Sequence, residues 1–168
     1  MNGVVSALDV ARYFLFRSDP SSIYAITHLK LQKLLYYALA FYVAYDMDKD
    51  PNNEDFFGRY LFAESLEAWT HGPVCRVVYD EYHPNHSRFE ILSKPKEHTI
   101  HNERIVDLLN NVWRLLGGYS GTQLEDFTHK DDPWRLARER AGVASWERSN
   151  EIINVEEMRI FYKKKMGL

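Results

Sequence analysis

Seven histidines, a single cysteine and several carboxylate pairs are the side chains of this sequence whose types and spacing could do chemistry. His71 and Cys75 stand four apart, a spacing that places two ligands on one helix face. His83-x-x-His86 and His98-x-x-His101 are further pairs. None belongs to a closed Cys/His set or to a His-Glu-x-x-His helix, so neither structural zinc nor another cofactor is expected. His129 precedes Asp131 and Asp132, either of which could orient its ring as a general base. A base does little without a nucleophile or a metal, and no Gly-x-Ser-x-Gly turn occurs in the chain. An acid–base enzyme would instead need His71 and His129 to converge in one cleft. Asp46, Asp48 and Asp50 alternate as in a calcium loop, but the glycine and terminal glutamate of an EF-hand are missing. Gly117-Gly118-Tyr119-Ser120-Gly121 follows a helical pattern, the wrong context for a phosphate cradle. The expectation is a protein that is not an enzyme.

Three other segments have a physical logic of their own. Leu31-Gln32-Lys33-Leu34-Leu35-Tyr36-Tyr37 is an amphipathic helix turn. In Trp69-Thr70-His71-Gly72-Pro73-Val74, Gly72 can adopt angles other residues avoid, and Pro73 suits the first turn of a helix. His71 would then precede that helix, where the dipole disfavours its charged form. In Thr128-His129-Lys130-Asp131-Asp132-Pro133-Trp134, Thr128 or Asp132 can cap, Pro133 starts the helix and Trp134 packs back on the bundle. The second and third segments read as structural corners, with partner contact as the alternative.

The elements that must position these segments are mostly helical. Ser6 and Asp9 form a capping pair ahead of Ala7, Val10, Ala11, Phe14 and Leu15, and this first helix ends before Asp19-Pro20. Thr27 caps a second helix whose stripe is Leu31, Leu34, Leu35, Ala38, Tyr42 and Tyr45, widened by Phe41; it should be the central one. Asp46 to Asn53 is an exposed loop, and Arg59 to Trp69 allows either a short strand or a helix turn. Val74, Val77, Val78 and Tyr82 give the next helix its stripe, ended by His83-Pro84-Asn85, and Phe89 to Leu92 allows a short strand. An amphipathic helix then runs from Asn102 to Gly117-Gly118, followed by helices over Thr122–Phe127, Pro133–Arg140 and Val155–Met166. The expected fold is mainly α: one single-domain helical bundle over 1–168 with room for a short β element in its middle.

A chain of 168 residues can bury a real core, and 45% hydrophobic with 27% charged residues is ordinary for a globular protein. Aromatic residues reach 14%, enough to fill a core and to serve an interface as well. The net charge of −3 offers no basic field for nucleic acid, and Lys163-Lys164-Lys165 is the only basic run. One cysteine suits a reducing cytoplasm. Met1 to Val5 lacks a leader pattern, and the longest apolar stretch, Leu34 to Tyr45, is too short to span a membrane.

In their order and intervals, the three segments resemble the SocA-like antitoxin family, also called the Panacea domain. The resemblance extends from the first helix to the last, and it implies a mostly helical cytoplasmic protein that binds and neutralises a small toxin encoded beside it. Some related proteins are phage-associated, and the eponymous member also acts as a proteolytic adaptor, so an adaptor or phage-associated regulatory scaffold is the alternative function. By position, the resemblance marks Gln32, Lys33, Trp69, Gly72, Pro73, His129, Pro133 and Trp134; His71 and Thr128 lie within the same segments. The implied partners are a cognate toxin and a protease, with no nucleic acid and no membrane. The chain departs from the family pattern in an insertion-like loop at Asp46 to Phe57 and in Cys75, and no DNA-binding domain is evident.

Overall fold

The computed structural model describes residues 3–49, 51–54, 56, 58–83, 85 and 87–168. Expectations that rest on Met1, Asn2, Asp50, Phe57, Pro84 and His86 lie outside the described residues. The fold is mainly α: among the described residues there are seven α-helices and one antiparallel β-hairpin.

Helix α1 (Ala7–Arg17) begins at a reciprocal Ser6–Asp9 capping box. Helix α2 (His28–Phe41) is capped by the Thr27 hydroxyl, which accepts from the Lys30 N–H. It is buried over almost its whole length and packs against α1, the hairpin and four of the later helices. Burial on every side explains why it carries so many leucines and tyrosines. Its end widens into one π-helical turn, Tyr42–Asp46. That turn corrects two expectations. Tyr45 projects outward and stays largely exposed, whereas Asp46 is buried in the helix, not looped out. Arg104 and Lys49 pair with Asp46, and Asp48 pairs with Arg159 and Lys163, so both carboxylates are spent on protein cations.

Strands β1 (Leu66–Trp69) and β2 (Gly72–Cys75) pair in register Trp69↔Gly72 to Leu66↔Cys75, joined by the two residues Thr70-His71. Pro73 therefore lies in a strand, and the helix expected to start there, α3 (Arg76–Glu81), starts three residues later. The physical reason is Gly72 at φ +96°, a left-handed conformation outside the helical region that turns the chain back beside Trp69 directly after Thr70-His71. Val78 is buried as expected, but Val77 is exposed. The outer edge of β1 is covered by the chain near Ile152: the Ala68 N–H donates to the Glu151 carbonyl at 2.8 Å and the Ile153 N–H to that of Leu66 at 2.8 Å. Phe89–Leu92 contributes only an isolated bridge, Ile91 with Thr27.

Helix α4 (Glu103–Leu116) is capped by Asn102, and α5 (Gly121–His129) by a Ser120–Gln123 capping box. Helix α6 (Asp132–Ala141) ends at Gly142 in the left-handed region, and α7 (Val155–Met166) is capped by Asn154. Neither expected residue caps α6: Asp132 is its first residue and pairs with Arg135, the Thr128 hydroxyl donates to the Glu125 carbonyl within α5, and the cap position is Asp131, whose side chain makes no capping bond. Instead the Asp131 carboxylate accepts from the hydroxyls of Tyr36 on α2, at 3.3 Å, and Tyr162 on α7, and Lys165 lies 3.2 Å away. This buried cluster ties α2, α6 and α7 together. Burial pushes the Asp131 carboxyl above its usual range and the Tyr36 and Tyr162 phenols well above theirs.

Candidate partner-binding cleft

The hairpin lies across α2 and α5, and α2 fastens it by two consecutive residues. The Gln32 side-chain carbonyl accepts from the Cys75 N–H at 2.8 Å, and the Lys33 ammonium donates to the Pro73 carbonyl at 3.0 Å. Gly72 is required here for space as well as conformation. A Cβ at this position would meet Lys33 Cε at 2.8 Å and Thr128 Oγ1 at 2.9 Å. Helix α6 holds the other strand: the Trp134 indole N–H donates to the Trp69 carbonyl at 2.9 Å, and the Arg138 guanidinium to that of Ala68 at 3.0 Å. Pro133, at the first turn of α6, is buried as the helix start requires.

Two histidines meet at Glu125 on α5. His71 Nδ1, at the hairpin tip, is 2.7 Å from Glu125 Oε1, and His129 Nε2 is 3.8 Å from the same oxygen. His129 also stacks on Trp134, with ring centroids 4.2 Å apart. Burial holds the His129 pKa below its usual value despite the Glu125 charge. The expected orienting carboxylates, Asp131 and Asp132, do not serve it: Asp131 joins the tyrosine cluster and Asp132 pairs with Arg135. Nor does His71 precede a helix. It sits in a hairpin loop, half exposed, and its partner is a carboxylate.

The three segments therefore meet around one hairpin, which was not evident from their sequence spacing. Gln32, Lys33, Trp69, His71, Gly72, Pro73, Thr128, His129, Pro133 and Trp134 all touch it or flank it through the contacts above. Cys75 is buried, its thiol is pushed up by burial, and it is no neighbour of His71 on a helix face. Among the described residues no three His, Cys, Asp or Glu side chains gather where they could hold a metal ion.

Beside the hairpin opens a cleft of about 1020 Å³. His28, Gln32 and Lys33 form its floor, Trp69 and Tyr79 a wall, and Arg88, Trp146 and Arg148 its rim. No aspartate or glutamate lines it among the described residues. Three of its polar groups are incompletely satisfied. The carbonyl of Gln32 is oriented by Cys75, so its Nε2 is fixed on the other side, where it has no acceptor. His28 Nε2 is likewise buried without a partner. Lys33 is fully buried, makes one hydrogen bond, and has no carboxylate within ion-pair distance; burial lowers its pKa to about 7. Burial also depresses His28. The sequence pattern flagged Gln32, Lys33, Trp69 and His71 but missed His28, Tyr79, Arg88, Trp146 and Arg148. His28 and Gln32 stand one helix turn apart on α2, a usable signal; the loop residues carry none.

The model of the family described as antitoxin SocA-like, Panacea domain, matches residues 31–135, and the chain belongs to that family. No curated protein and no solved structure matches the chain.

Proposed function

As a member of that family, we propose, this chain is an antitoxin that neutralises a small protein toxin by direct binding in the cytoplasm. The observation that carries the proposal is the family match over 31–135, a span that includes the hairpin and its ties from Gln32, Lys33 and Trp134. The surface beside the hairpin supports it. Trp146 is 79% exposed at the cleft rim, with Arg76 and Arg148 nearby, and Trp and Arg are the residues that most often anchor protein interfaces. No helix among the described residues is long and apolar enough to cross a membrane, in keeping with a binding function away from lipid.

The test is co-expression with the products of neighbouring genes. One of them should arrest growth alone, be tolerated with this chain, and co-purify with it in fixed ratio. A Trp146→Ala, Arg148→Ala double variant, altered only at exposed residues, should fold normally and weaken rescue. Recovery of a protease and a client, with no toxic neighbour, would replace the antitoxin assignment with the adaptor one.

A further inference from the structure

The chemistry of the cleft floor extends beyond what a protein-binding face requires. Gln32 Nε2 and His28 Nε2 lie buried beneath it without partners, on side chains that are each 2% exposed. Leaving a buried polar atom unpaired costs about 1–3 kcal/mol, and an acceptor arriving from the cleft would recover part of it. The Lys33 ammonium lies beside them with a single carbonyl partner. Its nearest influential carboxylate, Glu125, is already engaged by His71 at 2.7 Å. Above the floor the rim adds Arg88 and Arg148, neither of which is ion-paired to a carboxylate among the described residues. Arg76, by contrast, is held by Glu67 at 3.0 Å. Unsatisfied polar groups and a buried cation lie beneath, and two arginines beside, a space that no carboxylate among the described residues lines, which selects for an anion.

Size and the walls narrow the ligand further. A bare phosphate or carboxylate would leave most of a 1020 Å³ cleft unfilled, since organic ligand sites run from about 300 to 1,000 Å³. The exposed Trp146 ring lines the same space, and aromatic faces accept planar rings by stacking. The Trp69 ring is less available, because the Arg76 guanidinium already lies 5.2 Å from its centre and Tyr79 packs at 4.9 Å.

We propose that this cleft is a binding site for a small nucleotide-class ligand, its phosphate drawn to the floor formed by Lys33, Gln32 and His28 and to Arg88, and its planar ring against Trp146. An acidic peptide could meet the same cations. The small ligand is favoured because the unpartnered groups belong to buried residues that line the cleft, so the polar demand lies inward and not along the open rim where a chain would lie. The proposal rests on the geometry of this chain alone and holds whether or not the protein neutralises a toxin.

The test uses the purified full chain without any partner. Tryptophan fluorescence and calorimetry would follow titration with AMP, adenosine and inorganic phosphate. AMP should bind at least about tenfold more tightly than either fragment, a gap of roughly 1.4 kcal/mol. Arg88→Ala, at an exposed position, should weaken AMP about tenfold without affecting folding. Gln32→Glu keeps the acceptor for Cys75 but places a carboxylate on the floor, and it should abolish AMP binding; its thermal melt reports separately whether it folds. Trp146→Phe should remove most of the fluorescence response while leaving calorimetric binding. Adenosine binding as well as AMP would overturn the anion site, and phosphate binding as well as AMP would overturn the ring site. Saturating AMP signals unchanged by both Arg88→Ala and Gln32→Glu would place the ligand elsewhere. No binding at millimolar AMP, together with burial of Arg88 and Trp146 only when a partner protein is added, would overturn the proposal and make the cleft a protein socket.

Discussion

Replacing Lys33 with methionine should stabilise the protein at neutral and acidic pH, even though it deletes a native hydrogen bond. Lys33 is completely buried, and its pKa falls from 10.5 to about 7, chiefly through burial, with Arg88 lowering it further and Glu125 opposing. His71 and His129 stand across Glu125 and compete for its charge. Below about pH 7 both the folded and the unfolded lysine are protonated, and the fold bears the full cost of a buried charge. Between about 7 and 10.5 the unfolded chain holds a proton that the folded one has released, so stability rises with pH. At about 1.4 kcal/mol per pKa unit, the full cost is on the order of 5 kcal/mol, of which roughly 2–3 kcal/mol is relieved by about pH 9. Lys33→Met keeps the stem, deletes the charge, and loses one hydrogen bond to Pro73 of about 1 kcal/mol. The variant should thus exceed the parent by about 2–4 kcal/mol near pH 6, and that margin should shrink by about 2–3 kcal/mol near pH 9. Urea unfolding followed by tryptophan fluorescence at the two pH values measures it. Lys30, whose pKa is lowered to about 8, titrates in the same window but is present in both proteins and cancels. A margin that does not change with pH would refute the reasoning, because it would mean that Lys33 is solvated or ion-paired in solution.

Gly72→Ala should cost about 2–4 kcal/mol, combining left-handed strain with displacement of Lys33 and Thr128, whereas Gly142→Ala, with φ +66° and open space around it, should cost only about 1 kcal/mol; equal losses in urea unfolding would show that the close approach does not matter. Trp134→Phe removes the donor to the Trp69 carbonyl and part of the His129 stack, and should lower stability by about 1–3 kcal/mol; a loss below about 0.5 kcal/mol would mean that a neighbouring donor replaces the indole. The raised pKa of Asp131 means that its carboxylate is harder to ionise folded than unfolded, so stability should fall as pH rises from 3.8 through the higher folded value. Asp131→Asn should remove that slope, and acid-range urea midpoints that run parallel in the two proteins would contradict it.

Helix positions were legible because caps and periodicity are local. Ser6, Thr27 and Asn102 each cap the helix they precede, and α7 runs over the expected Val155–Met166. The hairpin was only half legible. Arg59–Trp69 allowed a strand, but Gly72-Pro73 carries the same signals for a helix start as for a tight turn followed by an edge-tolerant strand. What decided between them is non-local: the covering segment near Ile152 and the two ties from α2. Asp131 was misassigned for the same kind of reason. A carboxylate two residues after His129 reads as the group that orients its ring, yet tyrosines about 95 residues upstream and 31 downstream compete for it and win. The cleft was the least legible part, since its floor comes from α2 and its rim from segments around 88 and 146–148 that share no pattern.

Lys30 and Lys33 show why sequence cannot separate a structural lysine from a functional one. They are three apart on the same helix and both are buried. Lys30 donates to the carbonyls of Ile23 at 3.2 Å, Ala25 at 3.0 Å and Gly117 at 2.6 Å. All three of its protons are accepted, and Gly117 closes α4, where a cation also complements the helix dipole. Lys33 has the same number of protons and one acceptor. A lysine that only fastened the hairpin could be replaced by a neutral donor without loss, and the protein would gain stability by the exchange. Retaining a charge there is costly unless an anion meets it from the cleft, and its two unspent donors sit beside the unspent amide of Gln32 and imidazole of His28. The residues that secure the hairpin thus also define what can enter beside it, and substitutions at Lys33 should separate the two roles: stability rising while binding is lost.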